Sequence, residues 1–194
     1  IYIKGGDFRR WSGNFEFVVN WLNDGEELRV FKDPATGRVR SHNYNGDYAF
    51  RTGFTWSGIS SGTFAVRHVP SGFMFDAKGP MGFALKAGEQ FIHEGFLNSA
   101  VTNHLIKMLA PTLDFKLGHI LNLPLIEQTP EEIVDISKKA IGLSSQDWTA
   151  YETSWDFTIL PLLQPDFRQP TLKATYQKLR AHWREMTLEM QRLE

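Results

Sequence analysis

The sequence predicts an α+β fold, on three observations. Short aromatic and β-branched runs punctuated by Gly and Pro fill its first half. Apolar residues at helical spacing, with helix-start signals, dominate from about Glu89 onward. The 194 residues suffice for one core and a helical appendage. The expected architecture is a small, mixed or mostly antiparallel sheet with packed helices over 1–126, then a helical extension over 127–194.

Phe15–Trp21 reads as a strand, broken by Asn23-Asp24-Gly25 ahead of a short helix over Glu26–Lys32. Asp33-Pro34-Ala35-Thr36-Gly37 is a turn signal, because Pro presets one dihedral and Gly accepts positive φ. From Gly37 to Gly53 no period emerges, and the polar stretch with Tyr44, Tyr48 and Phe50 reads as a long functional loop. Phe54–Ser60, Thr63–Val69 and Phe73–Ala77 are expected to form an antiparallel meander, and Phe83–Leu85 a further short strand. Phe91, Ile92, Phe96, Leu97, Val101, Leu105, Ile106 and Leu109 define a helical stripe over 89–110, with a break expected at Asn98-Ser99 and a stop at Pro111. Leu113–Ile126 is expected to be a short helix and then an edge strand, since Pro124 bars a central one. Thr129-Pro130-Glu131-Glu132 starts a helix running to about Ile141, and Ser144 or Ser145 caps another toward Tyr151. The last helix runs from Thr171 to the end, with Leu172, Tyr176, Leu179, Trp183, Met186 and Met190 on one face that is expected to dock on a partner or drive dimerisation.

Composition narrows the function classes. No cysteine is present, which excludes disulfides, cysteine zinc sites and thiol nucleophiles. No apolar run approaches the ~18 residues of a membrane span and no signal-peptide pattern opens the chain, so no membrane partner and a cytoplasmic location are expected. A chain that opens on Ile1 and closes on Glu194 reads as an excised piece. Net charge is −1, which argues against a generic polyanion coat. Residues 1–126 hold 13 Lys/Arg against 11 Asp/Glu, whereas 127–194 hold 8 against 11. Between Arg29 and Arg67 six basic residues face two acidic ones, a local electrostatic footprint.

Catalytic constellations are missing. There is no Asn/Asp-Pro-Pro-aromatic tetrapeptide to hold a flipped base, no Gly-rich turn after a strand, no phosphate loop and no nuclease carboxylate–lysine set. The six histidines lack metal-ligand spacing.

What remains is a string of short motifs in order. They begin with Lys4-Gly5-Gly6-Asp7-Phe8-Arg9-Arg10-Trp11 and Val19-Asn20-Trp21. Thr55-Trp56-Ser57, Gly72-Phe73-Met74-Phe75-Asp76 and Gly95-Phe96-Leu97-Asn98-Ser99 follow. The series closes with Pro111-Thr112-Leu113-Asp114-Phe115, Gly118-His119-Ile120, Asp147-Trp148, Glu152-Thr153-Ser154-Trp155-Asp156-Phe157 and Pro161-Leu162. In order and spacing these resemble the specificity region of large adenine-specific DNA methyltransferases of restriction-modification type, in particular the PglX type of BREX phage-defence systems. Ser12 departs from that pattern, where Tyr is commoner.

The resemblance implies a DNA target-recognition domain that binds double-stranded DNA. It also implies a methyltransferase domain N-terminal to this region, which uses S-adenosylmethionine, while the chain itself holds no cofactor. Such a domain needs Lys and Arg for phosphates, and Arg, Asn or Ser for base edges. The residues that fit are Arg38, Arg40, Asn43 and Asn45 on the long loop, with Arg51 and Arg67 beside it. Lys4, Arg9 and Arg10 fit either phosphates or interdomain contacts. Trp11, Trp21 and Trp56 fit a core, and Trp148, Tyr151, Trp155 and Phe157 fit packing of the extension on the domain. The alternative function is a protein-interaction module that docks another defence-system subunit.

Overall fold

The computed structural model describes residues 1–41, 45–86, 88–125 and 131–194. In chain order its elements are β1 (Tyr2–Ile3), α1 (Leu22–Val30), β2 (Gly53–Trp56), β3 (Val66–Val69), β4 (Met74–Phe75), β5 (Met81–Gly82), α2 (Glu89–Asn98), α3 (Ala100–Leu109), α4 (Leu117–Leu121), α5 (Glu131–Thr149) and α6 (Leu172–Leu193). The fold is α+β.

The central sheet runs β3-β2-β5 and is antiparallel, with Phe54 opposite His68 and Trp56 opposite Val66. The expected meander fails at its third strand. β4 leaves this sheet and pairs in parallel with β1, Tyr2 against Met74 and Ile3 against Phe75. The cause lies in the preceding turn: Gly72 N–H donates to Phe50 O (2.9 Å) and Phe50 N–H to Phe73 O (2.8 Å), which commits this backbone to the long loop. β5 takes the vacated edge of β2, and Gly82 permits it, since a Cβ there would lie 2.3 Å from the Phe54 ring.

Both sheet faces are covered, as the period of two requires. Phe54, Trp56, Phe64 and Val66 pack against Leu97, Ile106 and Phe115 on the helical side. Ile3, Phe15, Val69, Phe73 and Met81 form a second cluster against the N-terminal segment. That segment joins the sheet edge at one residue: Trp11 N–H donates to Val66 O (2.9 Å) and His68 N–H to Trp11 O (2.8 Å).

No strand forms over 15–21; Phe17 merely bridges Tyr2, and Phe17 and Val18 are exposed. Its β-favouring residues find no continuous partner strand. Asn23, Asp24 and Gly25 take left-handed conformations, and regular helix begins after them. No strand forms at Phe83–Leu85 either; the short strand lies two residues earlier, as β5.

The break at Asn98-Ser99 divides α2 from α3. Ser99 caps α3 by accepting from Thr102 N–H (3.1 Å). Asn98 bonds both polar groups of Val66, accepting from its N–H (2.9 Å) and donating to its carbonyl (3.1 Å). The buried line on these helices differs from the apolar stripe. Gln90, Glu94, Leu97 and Asn98 are buried on α2, and Thr102, Asn103 and Ile106 on α3, while Val101 is exposed. Polar side chains occupy the inner face because the sheet edge and the helix joint supply their partners.

Residues 123–125 do not form the expected edge strand; Leu123 N–H closes onto Ile120 O (3.1 Å) and Leu123 is buried. The predicted start at Thr129-Pro130 lies outside the described residues. α5 runs through Gly142 to Thr149 as one helix, where two were expected. A mid-helix glycine costs only ~1 kcal/mol, and Ser137, Ala140, Ser144 and Trp148 keep one buried face in register across it. α5 lies along α2, where a Cβ on Gly95 would meet Ser137 Oγ at 2.7 Å and Ile133 Cγ2 at 2.9 Å. α6 starts at Leu172, one residue after the expected start, with Thr171 as its cap, Oγ1 accepting from Ala174 N–H (3.2 Å). Among the described residues no helix is long and apolar enough to cross a membrane.

Candidate nucleic-acid interface

Over the described residues of 17–41 and 45–51, with Lys4 and Phe83, cations lie beside aromatic rings. The guanidinium of Arg29 lies 5.9 Å from the Trp21 ring centre, and Trp21 meets Phe50 edge to face at 5.9 Å. The Arg51 guanidinium sits over Tyr48 (5.1 Å) and Phe83 (5.8 Å). The Lys4 ammonium sits over Phe17 (5.6 Å), and Arg40 over Phe31 (5.7 Å). Phe17, Phe31, Tyr48 and Phe50 all remain substantially exposed.

Local chemistry shapes this stretch. Asp33 accepts from the N–H groups of Ala35 and Thr36 (2.9 Å each), which fixes the Asp33–Gly37 turn. The turn brings Lys32 opposite Val39 and folds Arg40 back onto Asp33, with Nε at 3.0 Å and Nη2 at 2.6 Å from one carboxylate oxygen. Arg40 first, then those two N–H groups, hold the Asp33 carboxyl below its ordinary range. Arg29 is paired in the same way with Asp24 (2.6 Å). Lys4, Lys32, Arg38 and Arg51 are exposed and form no ion pair among the described residues. Over 17–51 five Lys/Arg stand with five Asp/Glu, of which Glu26, Glu27 and Asp47 likewise form no ion pair among the described residues.

The residues expected from sequence to touch DNA therefore divide. Arg38, Arg51 and Lys4 are exposed and unpaired among the described residues; Arg40 is exposed but offset by Asp33. Asn45 is exposed, in a left-handed conformation (φ 58°), and opens the turn at Gly46–Tyr48. Asn43 lies outside the described residues. Arg9 and Arg10 contact residues of α5 and the end of α6. Arg9 donates from Nε to Ser12 O (2.9 Å) and from Nη2 to Ser144 O (3.3 Å), pairs with Asp147 (2.5 Å) and lies 5.1 Å over Trp148. Arg10 pairs with Glu194 (3.0 Å), which also accepts from Trp11 Nε1 (3.0 Å). These contacts frame a cleft of about 780 Å³ between residues 8–11 and α5 and α6, floored by Leu179 and walled by Trp183 and Met186. Trp11 and Trp56 are core and Trp21 is half-buried; Trp148 is buried, but Tyr151 and Trp155 are exposed and do not complete the packing expected of them.

Arg67 is a correction. It is 1% exposed on β3, so it cannot reach a base edge in a groove. Alternation along the strand turns it inward with Val69, a placement that depends on which face the N-terminal segment covers. Burial first, and the charge of Arg9 second, push its guanidinium down to about 10.

One polar cluster was not foreseen. His68 Nδ1 lies 2.9 Å from Glu94 Oε1, and Gln90 Nε2 donates to Gly53 O (2.8 Å) and Glu94 Oε1 (2.9 Å). Gln90 Nε2 also lies 3.0 Å from His68 Nδ1, so the three side chains form one connected polar cluster. The available signal was Gln90 and Glu94 four residues apart, inside an otherwise apolar stripe.

The fold and this stretch define the chain as an α+β protein with an aromatic surface segment of mixed charge. Sequence comparison then identifies its relatives. It is 43% identical over 180 residues, 91% of the chain, to the adenine-specific methyltransferase PglX of Lacticaseibacillus casei strain Zhang. It is 37% identical over 163 residues, 83% of the chain, to the adenine-specific methyltransferase BrxX of Escherichia coli O9:H4 strain HS. The chain is homologous to one segment of these adenine-specific methyltransferases, and the matched stretch is 15% of PglX and 13% of BrxX. No family model matches it.

Proposed function

We propose that this chain is the DNA target-recognition part of an adenine-specific, S-adenosylmethionine-dependent DNA methyltransferase of a restriction-modification or BREX phage-defence system. The observation that carries the reading is the stretch around Arg51, which lies over Tyr48 and Phe83, with Lys32 and Arg38 exposed and unpaired among the described residues nearby in sequence. Cations there neutralise phosphates, and amide, guanidinium and aromatic groups on the same loops contact bases. Homology to adenine-specific methyltransferases supports a DNA substrate.

The residues present do not fit S-adenosylmethionine. The large cleft is apolar, its carboxylates Asp147 and Glu194 are engaged by Arg9 and Arg10, and no Gly-x-Gly turn follows a strand among the described residues. Methyl transfer belongs to the part of the parent enzyme outside this segment. The test is titration of a mixed-sequence duplex into the isotope-labelled chain by NMR. Shifts concentrated at Lys4, Lys32, Arg38, Asn45 and Arg51 support the reading; shifts spread evenly, or none, overturn it.

A second reading, protein docking, rests on another surface. Met108, Leu113, Leu117, Leu121 and Leu125 are all exposed over a short stretch, an apolar display that fits a protein contact.

A further inference from the structure

Arg67 is a buried cation without a counter-ion. Its side chain is enclosed, yet Nε and Nη2 have no hydrogen-bond partner among the described residues, and Nη1 makes one long bond to Ser57 Oγ (3.4 Å). Among the described residues no carboxylate pairs with it. Guanidinium stays protonated at physiological pH, and an isolated buried charge is among the most expensive features a fold can hold.

Arg67 also lines a small void of about 10 Å³, together with Arg9, Ser57, Ser60, Thr63 and Phe8. That volume admits one oxygen-sized atom. Its lining holds two guanidinium groups, three hydroxyls and no acid. Asp147 offsets Arg9 from the far side, so one positive charge stays uncompensated. The loop over it, Ser57-Gly58-Ile59-Ser60-Ser61-Gly62-Thr63, is rich in small polar residues, and Phe8 packs on Gly62, where a Cβ would lie 3.3 Å from the ring.

We propose that this is a phosphate site. One anionic oxygen enters the void and is held by the uncompensated charge of Arg67, while the remaining oxygens stay at the mouth with Ser60, Thr63 and Arg9. The tetrahedral group matches a guanidinium floor with hydroxyl walls. Under the DNA reading the oxygen comes from the duplex backbone. The site itself does not rest on that reading, because a free phosphate presents the same chemistry.

The probe is inorganic phosphate, read as ³¹P line broadening and as the melting temperature of the 194-residue chain against chloride at matched ionic strength. Wild type is expected to broaden the line and to melt higher in phosphate. Arg67→Met is expected to fold, because a buried ion without a partner is replaced by an apolar chain of similar length, and to lose both effects. Should it fail to fold, the Ser60→Ala/Thr63→Ala variant is expected to weaken phosphate binding about tenfold with Arg67 in place. No phosphate effect on wild type, or an undiminished effect in the folded Arg67→Met or in the double variant, overturns the site. Competition then separates the sources. Phosphate that displaces a bound duplex assigns the site to a backbone phosphate; phosphate that binds with the duplex in place assigns it to a free phosphate. A chain that binds phosphate and no DNA loses the target-recognition reading and keeps this one.

Discussion

At the scale of single residues, partners decide function more than charge does. Arg9, Arg10, Arg40 and Arg67 look alike in sequence, yet the first two tie the N-terminal segment to α5 and α6, the third answers Asp33, and the fourth is buried. Arg9→Ala removes an ion pair, two bonds to carbonyls and the stack on Trp148; with Asp147 half-exposed, the expected loss is about 2 kcal/mol, read by urea unfolding. The Arg40–Asp33 pair was open to inference, because a Pro-Gly turn between them sets a short hairpin. The burial of Arg67 was not, since it depends on which face of β3 the N-terminal segment covers.

Two residues also set the alkaline response. Burial first, then the charge of Asp76 and its hydrogen bond, raise the Tyr2 hydroxyl from 10.0 to about 12. The folded chain keeps that proton where the unfolded chain has released it, so this contribution is complete below pH 10 and is lost as pH rises toward 12. Arg67 acts oppositely: the folded state releases at about 10 a proton that the unfolded state holds to higher pH, so stability rises across the same window. In Tyr2→Phe only the second response remains. Between pH 10 and 12 its stability is expected to fall less steeply than that of wild type, or to rise; parallel curves by chemical denaturation would exclude a role for Tyr2.

At the scale of elements, local signals were legible and pairings were not. Thr171 and Ser99 could be recognised as caps because a side-chain oxygen three residues ahead of an N–H is written in the sequence. Ser99→Ala is expected to cost about 1 kcal/mol. The partner of β4 was hidden, because it follows from the backbone of Phe50 engaging Gly72 and Phe73, more than twenty residues away. The unbroken α5 and the polar inner face of α2 were hidden too, since tertiary packing outweighs a single glycine and supplies partners to Gln90 and Glu94. Their contact gives a test. Gly95→Leu places a side chain where Ser137 and Ile133 already stand and is expected to destabilise by about 2–3 kcal/mol. An unchanged unfolding midpoint would show that α2 and α5 do not pack closely.

At the scale of the whole molecule, positive charge is spread over the surface: Lys4, Lys32, Arg38 and Arg51 are exposed and unpaired among the described residues, and so are Lys78, Lys107, Lys139, Arg180 and Arg184. Lys4 and Arg51 are set apart by the exposed rings of Phe17 and Tyr48 beneath them. The long loop over 37–53 was visible in sequence as an aperiodic, polar, basic stretch; the division of its arginines into paired and free required the structure. The most direct measurement is fluorescence-anisotropy binding of the chain to a duplex over a salt series. Wild-type affinity is expected to fall linearly on log–log axes, and Arg38→Ala with Arg51→Ala to weaken binding and reduce the slope by about 2. Arg40→Ala, whose charge Asp33 already offsets, is expected to change the slope by less than 1. Absence of binding at the lowest salt, or a slope untouched by the double substitution, would contradict the assignment of this stretch to DNA.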